Sequence, residues 1–277
     1  MSAVRPSALA RPDTHRRIAY QVRVVRVLAG SAFKLKYADS ALGYVWSLAK
    51  PLALFSILYV VFGLLIRFST FENFALYLLL GIVLYTFFAD ATATTMTSVV
   101  ERGSLIRKLA FPLLIIPVSA TVTAAITFAV NVVAVVAFVA WNRIVPRADW
   151  LLLFPLLAEF YLFVLGISLI LATLYVRFRD VGQIWELAVQ LLFYITPVLY
   201  PLQLMPEWGQ RIVLLNPLGQ MIQDARAVVL YSSDVITIPT VWTSPVMRLV
   251  PFAVVVLTFF AGLILFKRNQ PWFAERA

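Results

Sequence analysis

Long stretches of this chain hold no Asp, Glu, Lys or Arg, among them 16 residues after Lys50, 17 after Glu72, 34 after Lys108 and 18 after Arg248. A helix rises 1.5 Å per residue, so about 20 apolar residues cross a hydrocarbon core about 30 Å thick. Runs of that length leave few soluble alternatives. Composition agrees, because 62% of the 277 residues are hydrophobic and 13% are charged, against roughly 45–50% and about 25% in soluble domains. The expected class is an all-α membrane protein.

Reading apolar runs between charges gives six transmembrane helices, at about 48–66, 74–95, 113–141, 150–175, 185–200 and 247–266. Residues 1–47 form an N-terminal arm and 267–277 a tail. The fifth span is short and carries Pro197, so it is expected to break there or to stop partway through the membrane. Residues 1–17 are polar and basic without an apolar stretch typical of a signal peptide, so the first span is expected to be retained. Seventeen of the 23 Lys and Arg fall on the side of the termini and six, including Arg226, on the other. By the positive-inside rule both termini are then cytoplasmic. Trp46, Trp185 and Trp272 fall at one set of span ends and Trp141, Trp150 and Trp242 at the other, as interfacial indoles do.

Several chemistries are excluded. The chain has no Cys and a single histidine, His15 in the basic arm, which removes disulfides, Cys-zinc sites and thiol catalysis. No Gly is followed by Lys, so no phosphate-binding loop is present and energy must come from another subunit. No two acidic residues lie within five positions of one another, which disfavours metal-dependent transfer on this chain. The net charge of +10 sits beside apolar spans and not on a polar domain. It therefore points to membrane lipid headgroups, not nucleic acid.

The polar pieces carry the functional signal. Residues 16–29 place Ile18, Val22, Val25 and Leu28 on one helical stripe and Arg16, Arg23 and Arg26 on another, an amphipathic interface helix. Residues 101–111, ERGSLIRKLAF, mix Leu105, Ile106 and Leu109 with Arg107 and Lys108 between Gly103 and Pro112. A loop that merely connects two spans needs no such two-faced turn, so either a protein or a headgroup docks there. The region 201–246 is too apolar for an external loop, and Asn216-Pro217 splits its central part into pieces of roughly 6 and 14 residues. Pieces too short to span and too apolar for water imply re-entrant helices. Asp90 and Glu159 are intramembrane carboxylates, read as pore-lining or inter-helix groups.

Four segments in order carry a resemblance: KLKYADSALGYVWSLAKPL at 34–52, GSLIRKLAFPLLIIPVS at 103–119, RDVGQIWELAVQLLFYITPVLYP at 179–201 and MPEWGQRIVLLNPLGQMIQDAR at 205–226. With them the chain resembles the membrane subunit of bacterial ABC-2 type polysaccharide exporters, which move O-antigens, teichoic acids and related glycans. That resemblance implies an inner-membrane homodimer bound to two copies of an ATPase subunit, with ATP and Mg on that partner and no cofactor on this chain. It further implies a coupling role for Gly103, Leu105, Ile106, Arg107, Lys108, Leu109 and Phe111, and a gate around Pro197, Pro201, Asn216 and Pro217. Leu113 departs from the pattern, since family members often carry Arg after the Phe-Pro pair. The implied cargo is a lipid-linked glycan in a channel between protomers, for which placement nominates Tyr77, Tyr85, Phe88, Tyr194 and Tyr200 as aromatic lining. An ABC-2 exporter of drugs or lipids, and an ATP-independent secondary transporter, remain the alternatives.

Overall fold

The computed structural model describes residues 14–37, 43, 45–67, 73–103, 112–232 and 234–276. Every regular element among them is helical, as hydrocarbon requires of a chain that must satisfy its backbone within each segment. In chain order these are α1 (Thr14–Tyr37), α2 (Val45–Leu58), α3 (Phe74–Glu101), α4 (Ile115–Trp141), α5 (Leu153–Arg177), α6 (Val181–Ile195), α7 (Glu207–Leu215), α8 (Pro217–Leu230), α9 (Ile238–Val241) and α10 (Leu249–Arg276). Five segments among the described residues are long and apolar enough to cross a membrane: Val45–Leu65, Phe74–Glu101, Ile115–Trp141, Ala148–Arg177 and Val246–Phe273. The first includes a π-helical turn, Tyr59–Leu65, that continues α2.

The fifth expected span, 185–200, is realised as α6, only 15 residues long. At 1.5 Å per residue that is about 22 Å, short of a full crossing. It ends at Ile195 because Pro197 follows, and the residue before a proline is pushed out of helical geometry. No residue of α6 is buried in the protomer, and Ile184, Leu187, Leu191, Tyr194 and Ile195 are exposed. Among the described residues α6 packs mainly on α3 and, less, on α5.

The centre of the bundle is α3. In its most apolar window 78% of residues are buried, against 17% in the first span, so α3 is the helix around which the others are arranged. It packs on α4, α5, α8, α6 and α2. α1 is longer than the stripe at 16–29 implies: the single Gly30 does not end it, and Lys34 and Lys36 complement the dipole of its last turn. It docks on α4 through Ala29, whose carbonyl accepts a hydrogen bond from Thr123 Oγ1 at 3.4 Å, while Ile18 and Val22 stay exposed.

Between α6 and α10 the chain doubles back. Asn216 caps α8, its side-chain oxygen accepting from the Leu218 N–H at 3.1 Å, with Pro217 preorganising the first turn. α7 and α8 are 9 and 14 residues long, close to the split expected from Asn216-Pro217. α8 is sunk among α3, α5 and α10, with Leu218, Ile222, Gln223 and Arg226 buried. The expected tail at 267–277 is not separate: α10 runs on through Arg276, and Phe273 is buried edge-on against Phe266, ring centroids 5.0 Å apart.

Candidate functional site

Arg226 has no exposed surface. A lone guanidinium in a membrane bundle is costly unless its donors are satisfied. Four of its five N–H groups are: Nε donates to the Tyr77 carbonyl at 2.9 Å, one terminal nitrogen to the Pro197 carbonyl at 2.6 Å and to Gln223 Oε1 at 3.0 Å, and the other to the Val198 carbonyl at 2.9 Å. Its charge lies 3.5 Å from the centre of the Tyr77 ring, a cation–π contact in a dry setting. The carbonyls of Pro197 and Val198 belong to the non-helical turn just past the end of α6 at Ile195, where no helix donor claims them and Arg226 can. Arg226 therefore joins α8 to both α3 and the break after α6.

Gly81 makes this possible. A Cβ at that position would collide with the Arg226 guanidinium and stand 3.1 Å from the Val198 carbonyl oxygen. Gly81→Ala is expected to lower the thermal midpoint of the purified protein, costing about 1–3 kcal/mol as overpacked cores do. A melt indistinguishable from wild type would show that the guanidinium can retreat.

Further ties run along the α3–α6 contact. The Tyr77 hydroxyl lies 3.3 Å from both the Tyr200 carbonyl and Gln223 Oε1. Tyr85 donates to the Val189 carbonyl of α6, and its ring meets Phe193 edge-on at 5.0 Å. Trp185 Nε1 donates to Thr92 Oγ1 at 3.1 Å, and its ring lies 6.0 Å from that of Phe88. Tyr200 in turn donates to the Tyr194 and Ile195 carbonyls at 3.1 and 3.2 Å, closing the C-terminal end of α6. The nominated channel aromatics thus divide. Tyr77, Tyr85 and Phe88 are buried within the protomer and hold α6 to α3, whereas Tyr194 is 65% exposed and Tyr200 partly so.

Asp90 is not left to neighbouring hydroxyls: Lys36 of α1 reaches it with N···O distances of 3.0 and 2.9 Å. The pair sits in a cleft also lined by Trp46, Lys50 and Asn131. Glu159 lies apart, in a cleft between α5, α8 and α10. Pro201 and Pro217 are buried, flanking α7. Of the coupling residues, Gly103 is buried just past the end of α3, while Leu105, Ile106, Arg107, Lys108, Leu109 and Phe111 lie outside the described residues. The helix ends beside them are tied, since Arg102 donates to Ser119 Oγ on α4 at 2.7 Å. Burial lowers the Arg102 pKa from its ordinary value, with the nearby Glu101 opposing.

By sequence Arg226 is one of six cations on the side opposite the termini. It is a structural cation, and the signal was its position, an arginine inside the proline-capped apolar helix PLGQMIQDARAVVL.

A profile of the ABC-2 type transporter family matches residues 23–230, from α1 through the end of α8 and including the whole Arg226 network. The chain belongs to the ABC-2 type transporter family. Two proteins of Klebsiella pneumoniae, each named O-antigen export system permease protein RfbA, are 31% identical over 210 residues, 76% of this chain and 81% of theirs. A Myxococcus xanthus protein of the same name is 28% identical over 265 residues, 92% of this chain and 96% of its own. As an ABC-2 transporter subunit the chain is a transport component, with ATP hydrolysis carried by a separate subunit.

Proposed function

We propose that this chain is the permease of an ATP-driven exporter of O-antigen or a related lipid-linked glycan in the bacterial inner membrane. The observation that carries the reading is the likeness to O-antigen export permeases over nearly the full length of both chains. The working unit is a homodimer with two ATPase subunits that bind ATP and Mg. Both termini are cytoplasmic, α6 serves as the shortened fifth span, and α7 and α8 are re-entrant helices at the external side. Supporting the homodimer, the exposed apolar residues of α6, among them Leu187, Leu191 and Tyr194, lack cover within the protomer, as do Ile57 and Leu64 in the first span. The glycan passes along the seam between protomers, where Tyr194 is the nominated aromatic best exposed to meet a sugar ring.

The segment 103–111 docks on the ATPase, and α3 is the lever. Its 28 residues extend about 42 Å at 1.5 Å per residue, from the docking segment to Tyr77 and the Arg226 network. Closure of the ATPase pair displaces the docking end. Because Thr92, Tyr85 and Tyr77 each hold α6 or its exit turn, the motion reaches the break at Pro197 as a rigid-body shift. The test is to purify the chain in detergent with and without its ATPase subunit. Wild type is expected to give a stoichiometric ATP-hydrolysing complex, and Leu105→Asp with Leu109→Asp to lose the subunit at least tenfold in affinity, a cost of about 1.4 kcal/mol. Unchanged association would defeat the docking assignment, and a chain indifferent to the ATPase would favour ATP-independent transport.

A further inference from the structure

The cleft between α5, α8 and α10 has a volume of about 480 Å³ and is lined by Glu159, Gln220, Asp224 and Arg248 together with Leu152, Leu249 and Phe252. Its polar groups are arranged in two kinds. On one side stand acceptors. Asp224 accepts from Gln220 Nε2 at 2.5 Å, which turns the Gln220 amide and leaves Oε1, on a side chain only 6% exposed, without a hydrogen-bond partner. Glu159 has no hydrogen bond or ion pair among the described residues. An unpartnered buried amide oxygen beside two carboxylates costs free energy unless a donor is supplied from outside. On the other side stands Arg248, exposed at the start of α10.

The rim is apolar and outward-facing: Leu152 is 54%, Leu249 61% and Phe252 51% exposed. It lies toward the bundle end that carries Trp141 and Trp150, the headgroup depth of one leaflet. A divalent cation fits poorly. It calls for six or more oxygens in a compact shell, and no group of three acidic or histidine residues able to hold a metal exists among the described residues.

We infer that this cleft binds the headgroup of a zwitterionic aminophospholipid. A primary ammonium has three N–H donors, matching Glu159, Asp224 and Gln220 Oε1. The adjoining phosphate pairs with the Arg248 guanidinium, and the acyl chains lie over Leu249 and Phe252. The ammonium meets carboxylates and the phosphate meets a guanidinium, a pairing of both signs that neither an anionic lipid nor a bare cation offers. This site lies away from the Arg226 network and does not depend on which cargo is exported.

The test uses the full chain co-purified with its ATPase subunit, delipidated in detergent and titrated with dioleoyl phosphatidylethanolamine, phosphatidylcholine or phosphatidylglycerol, with bound lipid counted by native mass spectrometry. Phosphatidylcholine keeps the phosphate but has no N–H, and phosphatidylglycerol has no ammonium. Phosphatidylethanolamine is expected to bind about tenfold more tightly than either. Glu159→Gln, an isosteric change at a side chain with no partner to lose, should reduce that preference, and Glu159→Gln with Asp224→Asn should abolish it. Arg248→Gln should weaken all three lipids. Equal retention of the three wild-type complexes overturns the proposal, as does an undiminished preference in the single Glu159→Gln variant, which retains the fold if the double variant does not. Loss of the preference while ATPase binding is unchanged separates this site from the exporter assignment.

Discussion

Arg226→Met should unfold the region around α8 and the break after α6 at temperatures where wild type is intact. Methionine fills similar volume but donates no hydrogen bond, so the carbonyls of Tyr77, Pro197 and Val198 lose their donor together. Each unsatisfied buried acceptor costs about 1–3 kcal/mol, and truncating one member of a buried charged network typically costs about 3–5 kcal/mol in all. That is a large share of the stability of most domains. The thermal midpoint in detergent should fall by many degrees and export should be lost. Arg226→Lys gives the sharper comparison, since it preserves charge but presents a compact ammonium in place of a planar fork that reaches two elements at once. Lysine should recover part of the stability and little of the export, because one point donor cannot hold both the α3 carbonyl and the exit turn of α6. Equal melts for Arg, Lys and Met would show that the break after α6 is held by packing alone.

The sequence made some of this legible and hid the rest for physical reasons. Spans 1, 2, 3 and 6 were readable because bilayer length selects uncharged runs, and the pieces around Asn216-Pro217 because a proline after an N-cap residue marks a helix start. The break at Pro197 was visible for a similar reason. What did not show was partnership. Asp90 gives no sign that Lys36, 54 residues away, reaches it, and Arg226, in the apolar stretch around Asn216-Pro217, gives none of its carbonyl partners from α3 and the turn after α6. Aromatic placement likewise could not tell a ring that faces a channel from one that holds two helices of the same protomer together. Tyr85 packs against α6 and Tyr194 lies in it, yet one is buried against Phe193 and the other exposed. Burial in a membrane protein is decided by helix rotation, to which hydropathy is blind when every face is apolar.

Gly262→Leu should cost as much as the loss of Arg226, by a different route. α5 and α10 form the most extensive helix pair, and they meet through two glycines. A Cβ on Gly262 would overlap the Gly166 carbonyl oxygen, and one on Gly166 would stand 2.8 Å from the Phe259 backbone. Both contacts are with backbone, so no side chain can rotate away. Lipid offers no hydrophobic drive to hold helices together, and small residues that let backbones touch therefore carry much of the association. A leucine forces the helices apart along their whole length, exposing the packing of Leu165, Leu169 and Phe266 that closes the lower half of the pair. The expected loss is at least about 3 kcal/mol, the upper range for overpacking. A double-mutant cycle discriminates this from local strain. Gly166→Ala and Gly262→Ala act on one shared contact, so the second substitution should cost less once the first has parted the helices, giving a coupling of about 0.5–3 kcal/mol. Strict additivity would mean that each glycine is accommodated separately and that the two helices are not held by their close approach.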